Sequence, residues 1–242
     1  MSIWGKLAGA AAGFAIGGPI GALLGALAGH FIVDEGLLAG EPLPPRETVA
    51  FTVGLIALAA KMAKADGVVT RDEVNAFRKL VTIAPEDEPR VTALFDLAKQ
   101  SVAGFDAYAM QLAQLLKAEP KALEDLLDGL FSIATADSAV HEAELAYLAE
   151  VARLFAISDA DFEAIKARHV IEGDADPFVV LGIPRDASPD AIKTAWRRLV
   201  IENHPDKLIA RGVPEDLVAL ATAKVAAINA AYEQLKVARG IR

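Results

Sequence analysis

The chain has 242 residues, 54% of them hydrophobic but only 6% aromatic, and it has no cysteine. That length gives room for two small domains. An apolar content built from Ala, Leu and Val favours helices over strands. The missing cysteines exclude disulfides, thiolate chemistry and cysteine-based zinc sites, and they fit a reducing compartment. The net charge of −9 is uneven. Residues 1–33 carry only Lys6, residues 34–175 carry 13 basic against 25 acidic side chains, and residues 176–242 carry 10 against 8. Phosphate binding needs clustered Lys and Arg, so an acidic middle argues against nucleic acid as a partner.

From Leu7 to Val33 there is no Asp, Glu, Lys or Arg. About 20 apolar residues suffice to cross a bilayer as a helix, so residues 1–33 are expected to form a membrane anchor. Gly5, Gly9, Gly13, Gly17, Gly21, Gly25 and Gly29 recur at every fourth position and share one helix face. Such a stripe lets two helices approach closely in lipid, which predicts a homodimer through this segment. Ala26-Leu27-Ala28 resembles a signal-peptide cleavage site, but the apolar run is long for one and its n-region has a single Lys. A soluble Gly/Ala linker does not fit the density of Ile, Leu and Phe. Gly17-Gly18-Pro19 leaves a kinked or re-entrant helix as an alternative to a single crossing.

Residues 34–48 hold three prolines and two glycines and are read as a linker. Residues 49–169 then show helical periodicity throughout, enough for about seven helices. Phe51, Leu55, Leu58 and Met62 fall at spacings of three or four, as do Val74, Phe77 and Leu80-Val81. Leu112, Leu115-Leu116, Leu126-Leu127, Leu130-Phe131, Leu145, Leu148, Val151 and Phe155 continue the pattern. Ala65-Asp66-Gly67-Val68-Val69-Thr70-Arg71-Asp72-Glu73 is echoed by Ala136-Asp137-Ser138-Ala139-Val140-His141-Glu142-Ala143-Glu144. Each is a helix end, an Asp turn and an acidic helix start. This paired turn resembles the TerB-type helical domain. The resemblance implies Asp66, Glu73, Asp137 and Glu144 as candidate oxygen ligands for a hard cation. The residues themselves read more simply, since Thr70-x-x-Glu73 is a capping box and first-turn acids suit the helix dipole.

After a short linker at 170–175, residues 176–242 form the last domain. Ser188 is the expected N-cap and Pro189 the first residue of a helix that runs to about Asn203 and buries Ile192, Trp196 and Leu199. Lys193, Arg197 and Arg198 lie off that stripe. His204-Pro205-Asp206 ends the helix, because a residue preceding proline avoids the α region. A final helix from about Glu215 to Val237 packs back antiparallel, leaving the tripeptide exposed at the turn.

From D-P-F-V-V-L-G-I through K-T-A-W-R-R-L and H-P-D-K to I-N-A-A-Y-E-Q-L, this domain resembles a J-domain along its whole length. The spacer Lys207–Pro214 and the closing Arg239-Gly240 look like the DjlA group of membrane-anchored DnaJ-like co-chaperones. That group also has an N-terminal anchor and a TerB-type domain. Phe178 and Trp196 stand where tyrosines are common, and Asn203 replaces the usual aromatic. No Gly/Phe-rich stretch and no zinc-binding repeat is present, which excludes a general client-binding DnaJ.

The expected fold is therefore all-α: a Gly-rich membrane helix, a TerB-like bundle and a J-domain hairpin. The resemblance implies a regulator rather than an enzyme, with no cofactor, that stimulates ATP hydrolysis by a DnaK-type chaperone. His204, Pro205 and Asp206 would be its contact residues, with Lys193, Arg197 and Arg198 steering it onto an acidic surface. It also implies the bacterial inner membrane, with the bulk of the chain cytoplasmic. The alternatives are a metal-binding TerB-type sensor and a membrane scaffold in which the J-domain is secondary.

Overall fold

A computed structural model describes residues 17–35, 45–65, 88–100, 104–135, 140–169, 175–213 and 218–241, and among these there are helices and turns but no strand. The helices are α1 (Gly18–Glu35), α2 (Arg46–Ala65), α3 (Glu88–Gln100), α4 (Phe105–Leu115), α5 (Pro120–Ala134), α6 (Glu142–Leu154), α7 (Asp159–Arg168), α8 (Pro177–Val180), α9 (Pro189–Glu202), α10 (Pro205–Ala210) and α11 (Val218–Arg239). The expected stretch around Val74, Phe77, Leu80 and Val81 lies outside the described residues, as do Asp66, Glu73 and Asp137.

Helix α2 is the centre of the first core. Phe51, Leu55, Leu58 and Met62 are buried as the periodicity predicts, but so are Val53, Ile56, Ala57 and Ala60 on the other side. A helix apolar all round belongs in the middle of a bundle, and α3, α4, α5 and α6 surround it. Gly54 permits the closest approach: a Cβ there would stand 2.4 Å from a methyl of Leu112. The Tyr147 hydroxyl, buried against the same helix, donates to the Leu58 carbonyl at 2.9 Å, and burial raises its pKa.

Helix α1 joins this bundle. Ile20, Leu23 and Leu24 are buried in its core, against α3 and α4. Gln111 of α4 clasps the start of α1: its Nε2 donates to the Gly17 carbonyl at 2.7 Å, and its Oε1 accepts from the Ile20 N–H at 2.9 Å. Gly17 and Gly18 both have left-handed φ, +65° and +59°, so the glycine stripe is interrupted there rather than running through one helix. Among the described residues no helix is long and apolar enough to cross a membrane. The linker is also shorter than expected, since α2 starts at Arg46.

The last domain has a core of its own, formed by Val180 and Leu181 at the end of α8, Ile192 of α9, and Ile228, Tyr232 and Leu235 of α11. Ser188 caps α9, its Oγ accepting from the Ala191 N–H at 3.2 Å. Trp196 and Leu199 are partly buried rather than enclosed. Trp196 stacks on Tyr232 with centroids 4.3 Å apart, and its indole N–H donates to Asn229 Oδ1 at 2.8 Å. Asn203, buried at the end of α9, donates from Nδ2 to the Leu199 carbonyl at 2.7 Å. That bond explains how a polar residue occupies an enclosed position.

Candidate functional site

His204, Pro205 and Asp206 lie between α9 and α11, with His204 as the N-cap of α10 and Pro205 as its first residue. The His204 ring points outward, with its side chain 58% exposed, and Asp206 is 86% exposed. His204 Nδ1 accepts from the Asp206 N–H at 3.2 Å. With Nδ1 accepting, the neutral ring carries its proton on Nε2, which makes that nitrogen the donor of the tripeptide. Asp206 supplies a charged acceptor beside it, and Pro205 locks the backbone between them. The turn thus presents one donor and one anion in fixed relative positions.

On the preceding helix Arg197 and Arg198 are exposed and Lys193 is half-buried. Arg198 pairs with Glu202 one turn on, Nη1 to Oε2 at 3.1 Å. Exposed i,i+4 pairs contribute only a few tenths of a kcal/mol to stability. Arg197 and Arg198 therefore remain available to a partner at little cost.

Beneath the turn lies a second charged group that the sequence did not single out. Asp125 and Asp128, one turn apart on α5, are fully buried. Lys224 of α11 reaches both, with Nζ 2.8 Å from Asp125 Oδ1 and 3.8 Å from Asp128 Oδ2. Arg168 Nη2 and His169 Nε2 meet Asp128 Oδ1 at 3.0 and 3.2 Å, and Arg211 Nη1 stands 3.5 Å from Asp125 Oδ2. Burial opposes the charge on Asp128, but Lys224, Arg168 and His169 outweigh it and hold the carboxyl well below the usual carboxylate range. The cluster joins the bundle to the last domain. Cavities of about 150 and 110 Å³ flank it, both bordered by Arg168 and Lys224.

Three family models match the chain in order. They are the Co-chaperone DjlA transmembrane domain over residues 1–40, Tellurite resistance protein TerB over 52–167 and the DnaJ domain over 176–239. The chain belongs to the DjlA-type DnaJ-like co-chaperones. It is 27% identical over 200 residues to the Co-chaperone protein DjlA of Coxiella burnetii, an alignment covering 74% of each chain. It is 28% identical over 208 residues to that of Shewanella oneidensis, covering 77% of each. Over 67 residues it is 45% identical to that of Aliivibrio fischeri, 28% of this chain and 24% of that one. No solved structure matches.

The TerB domain does not gather the four expected ligands within the described residues. Asp66, Glu73 and Asp137 lie outside them, and the fourth, Glu144, is buried as the third residue of α6. Its Oε2 accepts from the His141 N–H at 2.9 Å, which makes it one half of a capping box. Among the described residues no group of three or more His, Asp or Glu is placed to hold a metal. In the J-domain, the spacer after the tripeptide is not featureless. It forms α10, and Leu208 and Val213 are buried in the TerB core rather than in the core of their own domain.

Proposed function

We propose that this chain is a membrane-anchored co-chaperone that binds a DnaK-type chaperone and stimulates its ATP hydrolysis through His204, Pro205 and Asp206. The observation that carries this reading is the outward-facing tripeptide itself, with its Nε2 donor and carboxylate acceptor fixed on a capped helix start. The chain does no chemistry of its own. It biases a partner between two conformations by binding one of them better. Arg197 and Arg198, with Lys193, steer the encounter with an acidic surface, which acts chiefly on the association rate.

Residues 49–169 serve as the helical body and 176–242 as the partner-binding domain. The N-terminal region attaches the chain to the inner membrane, supported by the match of residues 1–40 to a transmembrane domain. ATP and DnaK-type chaperones are cytosolic in bacteria, so residues 34–242 face the cytoplasm. Lys6 argues for the opposite orientation under the positive-inside rule, but one charge is a weak vote. Gly21 is buried in the bundle, so self-association in lipid falls to the other glycines of the stripe.

The test is His204→Gln in the full chain. It should abolish stimulation of a DnaK-type ATPase while leaving helicity and the melting temperature unchanged. Full stimulation by the variant sinks the assignment. Reversing Arg197 and Arg198 to Glu should weaken binding at low salt and flatten its salt dependence. Affinity that stays equal to wild type across the salt range would remove these residues from the interface.

A further inference from the structure

The residues that flank His204-Pro205-Asp206 are held by a different domain from the one that carries the tripeptide. The core of the J-domain takes in Ile192, Ile228, Tyr232 and Leu235, yet Leu208 and Val213, 1% and 2% exposed, belong to the TerB core. Ala221, in the second turn of α11, joins that core too. Gly212 marks a close approach of the same loop to the TerB domain. Its φ is +93°, and a Cβ there would lie 3.0 Å from the Glu47 Cβ and 3.2–3.3 Å from the backbone of Glu47 and Thr48.

Arg211 ties these features to the turn. Its Nη2 donates to the Glu202 carbonyl at 2.5 Å and its Nε to the Lys207 carbonyl at 3.1 Å. One guanidinium therefore brackets the chain on both sides of His204, Pro205 and Asp206. Its remaining nitrogen, Nη1, faces Asp125 Oδ2 at 3.5 Å, an oxygen that has no hydrogen-bond partner of its own. The other oxygen of Asp125 accepts from Lys224 Nζ, on the helix that leaves the loop. A planar five-donor fork suits this task, because it can hold two carbonyls and a carboxylate in one fixed geometry.

We propose that the TerB domain acts as a mount for the His204-Pro205-Asp206 turn, and that Asp125 and Arg211 are positioning residues that set its orientation. The proposal rests on the functional reading above and adds a role for the TerB domain within it. A turn docked in one orientation meets its partner without first having to find that orientation. If loss of the mount leaves about one molecule in ten correctly docked, the apparent affinity falls about tenfold. The rate reached at saturation is unchanged, because His204 and Asp206 are untouched.

The test uses the full chain in detergent micelles. Because the chain has no cysteine, Met110→Cys and Val237→Cys give two unique spin-label positions, one on each domain, 53% and 82% exposed. Distances between the labels and ATPase stimulation as a function of co-chaperone concentration are measured for wild type, Asp125→Asn, Arg211→Gln and His204→Gln. Asp125→Asn leaves the bracket around the turn intact and weakens the charged contact that anchors it to the TerB domain. It should broaden a narrow distance distribution and raise the half-saturating concentration about tenfold, with the saturating rate within about twofold of wild type. His204→Gln should do the reverse, keeping the narrow distribution and losing stimulation.

A broadened distribution with an unchanged stimulation curve overturns the positioning role, and an unbroadened distribution shows that Asp125 does not hold the domain. If Asp125→Asn loses helicity, Arg211→Gln, on the rim of the junction, is read by the same two criteria. A wild-type chain that gives no stimulation removes the functional reading and the positioning role together, while the distances still report whether the domains are docked.

Discussion

Lys224→Met isolates the energetics of the buried cluster. Methionine keeps most of the length and apolar stem of lysine and removes only the ammonium. In the native chain the Lys224 side chain is 4% exposed and its ammonium sits 2.8 Å from Asp125 and 3.8 Å from Asp128. Without it Asp128 retains Arg168 and His169. Asp125 retains only Arg211 at 3.5 Å and loses its hydrogen bond. Removing one partner of a buried pair costs about 3–5 kcal/mol, because the other charge stays enclosed. For a chain of this size each kcal/mol lowers Tm by about 2–4 °C, so the expected drop is about 10 °C. The assay is a thermal melt followed by circular dichroism on the full chain. Adding Asp125→Leu to Lys224→Met should recover most of the loss, since an apolar pair of similar size often matches a buried ion pair. A single variant that melts within about 1 °C of wild type, or a double variant no better than the single, would refute the claim that these charges are enclosed and mutually dependent.

Two further outcomes follow from the same geometry. Asp128, with its pKa lowered in the folded state, stabilises the fold above the unfolded carboxylate value of about 4, and that stability is lost as the pH falls further. Asp128→Asn should therefore melt below wild type at pH 5, with the gap narrowing towards pH 3; a gap that widens over that range contradicts the sign. Ser188→Ala removes the acceptor for the Ala191 N–H and should cost about 1 kcal/mol, seen as a lower melting temperature with ATPase stimulation at saturation unaltered; loss of stimulation would show that the cap does more than start α9.

The parts of the site legible in the sequence are those whose partners lie close along the chain. Ser188 and Pro189 announce the start of α9 because a cap bonds three residues ahead. His204-Pro205-Asp206 is legible because proline dictates the geometry of its own neighbours. Asp125 and Asp128 were not, since on a helical pattern they read as the polar edge beside Leu126, Leu127 and Leu130. What covers them comes from Lys224, 99 residues beyond Asp125, and from Arg168, 40 beyond Asp128. No local period carries that information. Leu208 and Val213 lie in the spacer, and their burial in the distant TerB core is equally non-local. With α1, hydrophobicity could not separate lipid from protein interior, because Ile20, Leu23 and Leu24 suit either. Gln111, which holds the start of α1 against α4, is 91 positions from Ile20.

The membership of the first core has a consequence for how the protein is made. It spans Ile20 to Ala221 and includes Leu208 and Val213. Bacterial chains grow at about 5–20 residues per second, so roughly 10–40 s separate the synthesis of its first and last members. Throughout that interval the apolar surfaces of the body that receive Leu208, Val213 and Ala221 have no cover from their own chain. Completion of the body waits on the arrival of the J-domain. A chain that stops early lacks His204-Pro205-Asp206 and also leaves its body unfinished, with apolar surface open to the cell's own proteases.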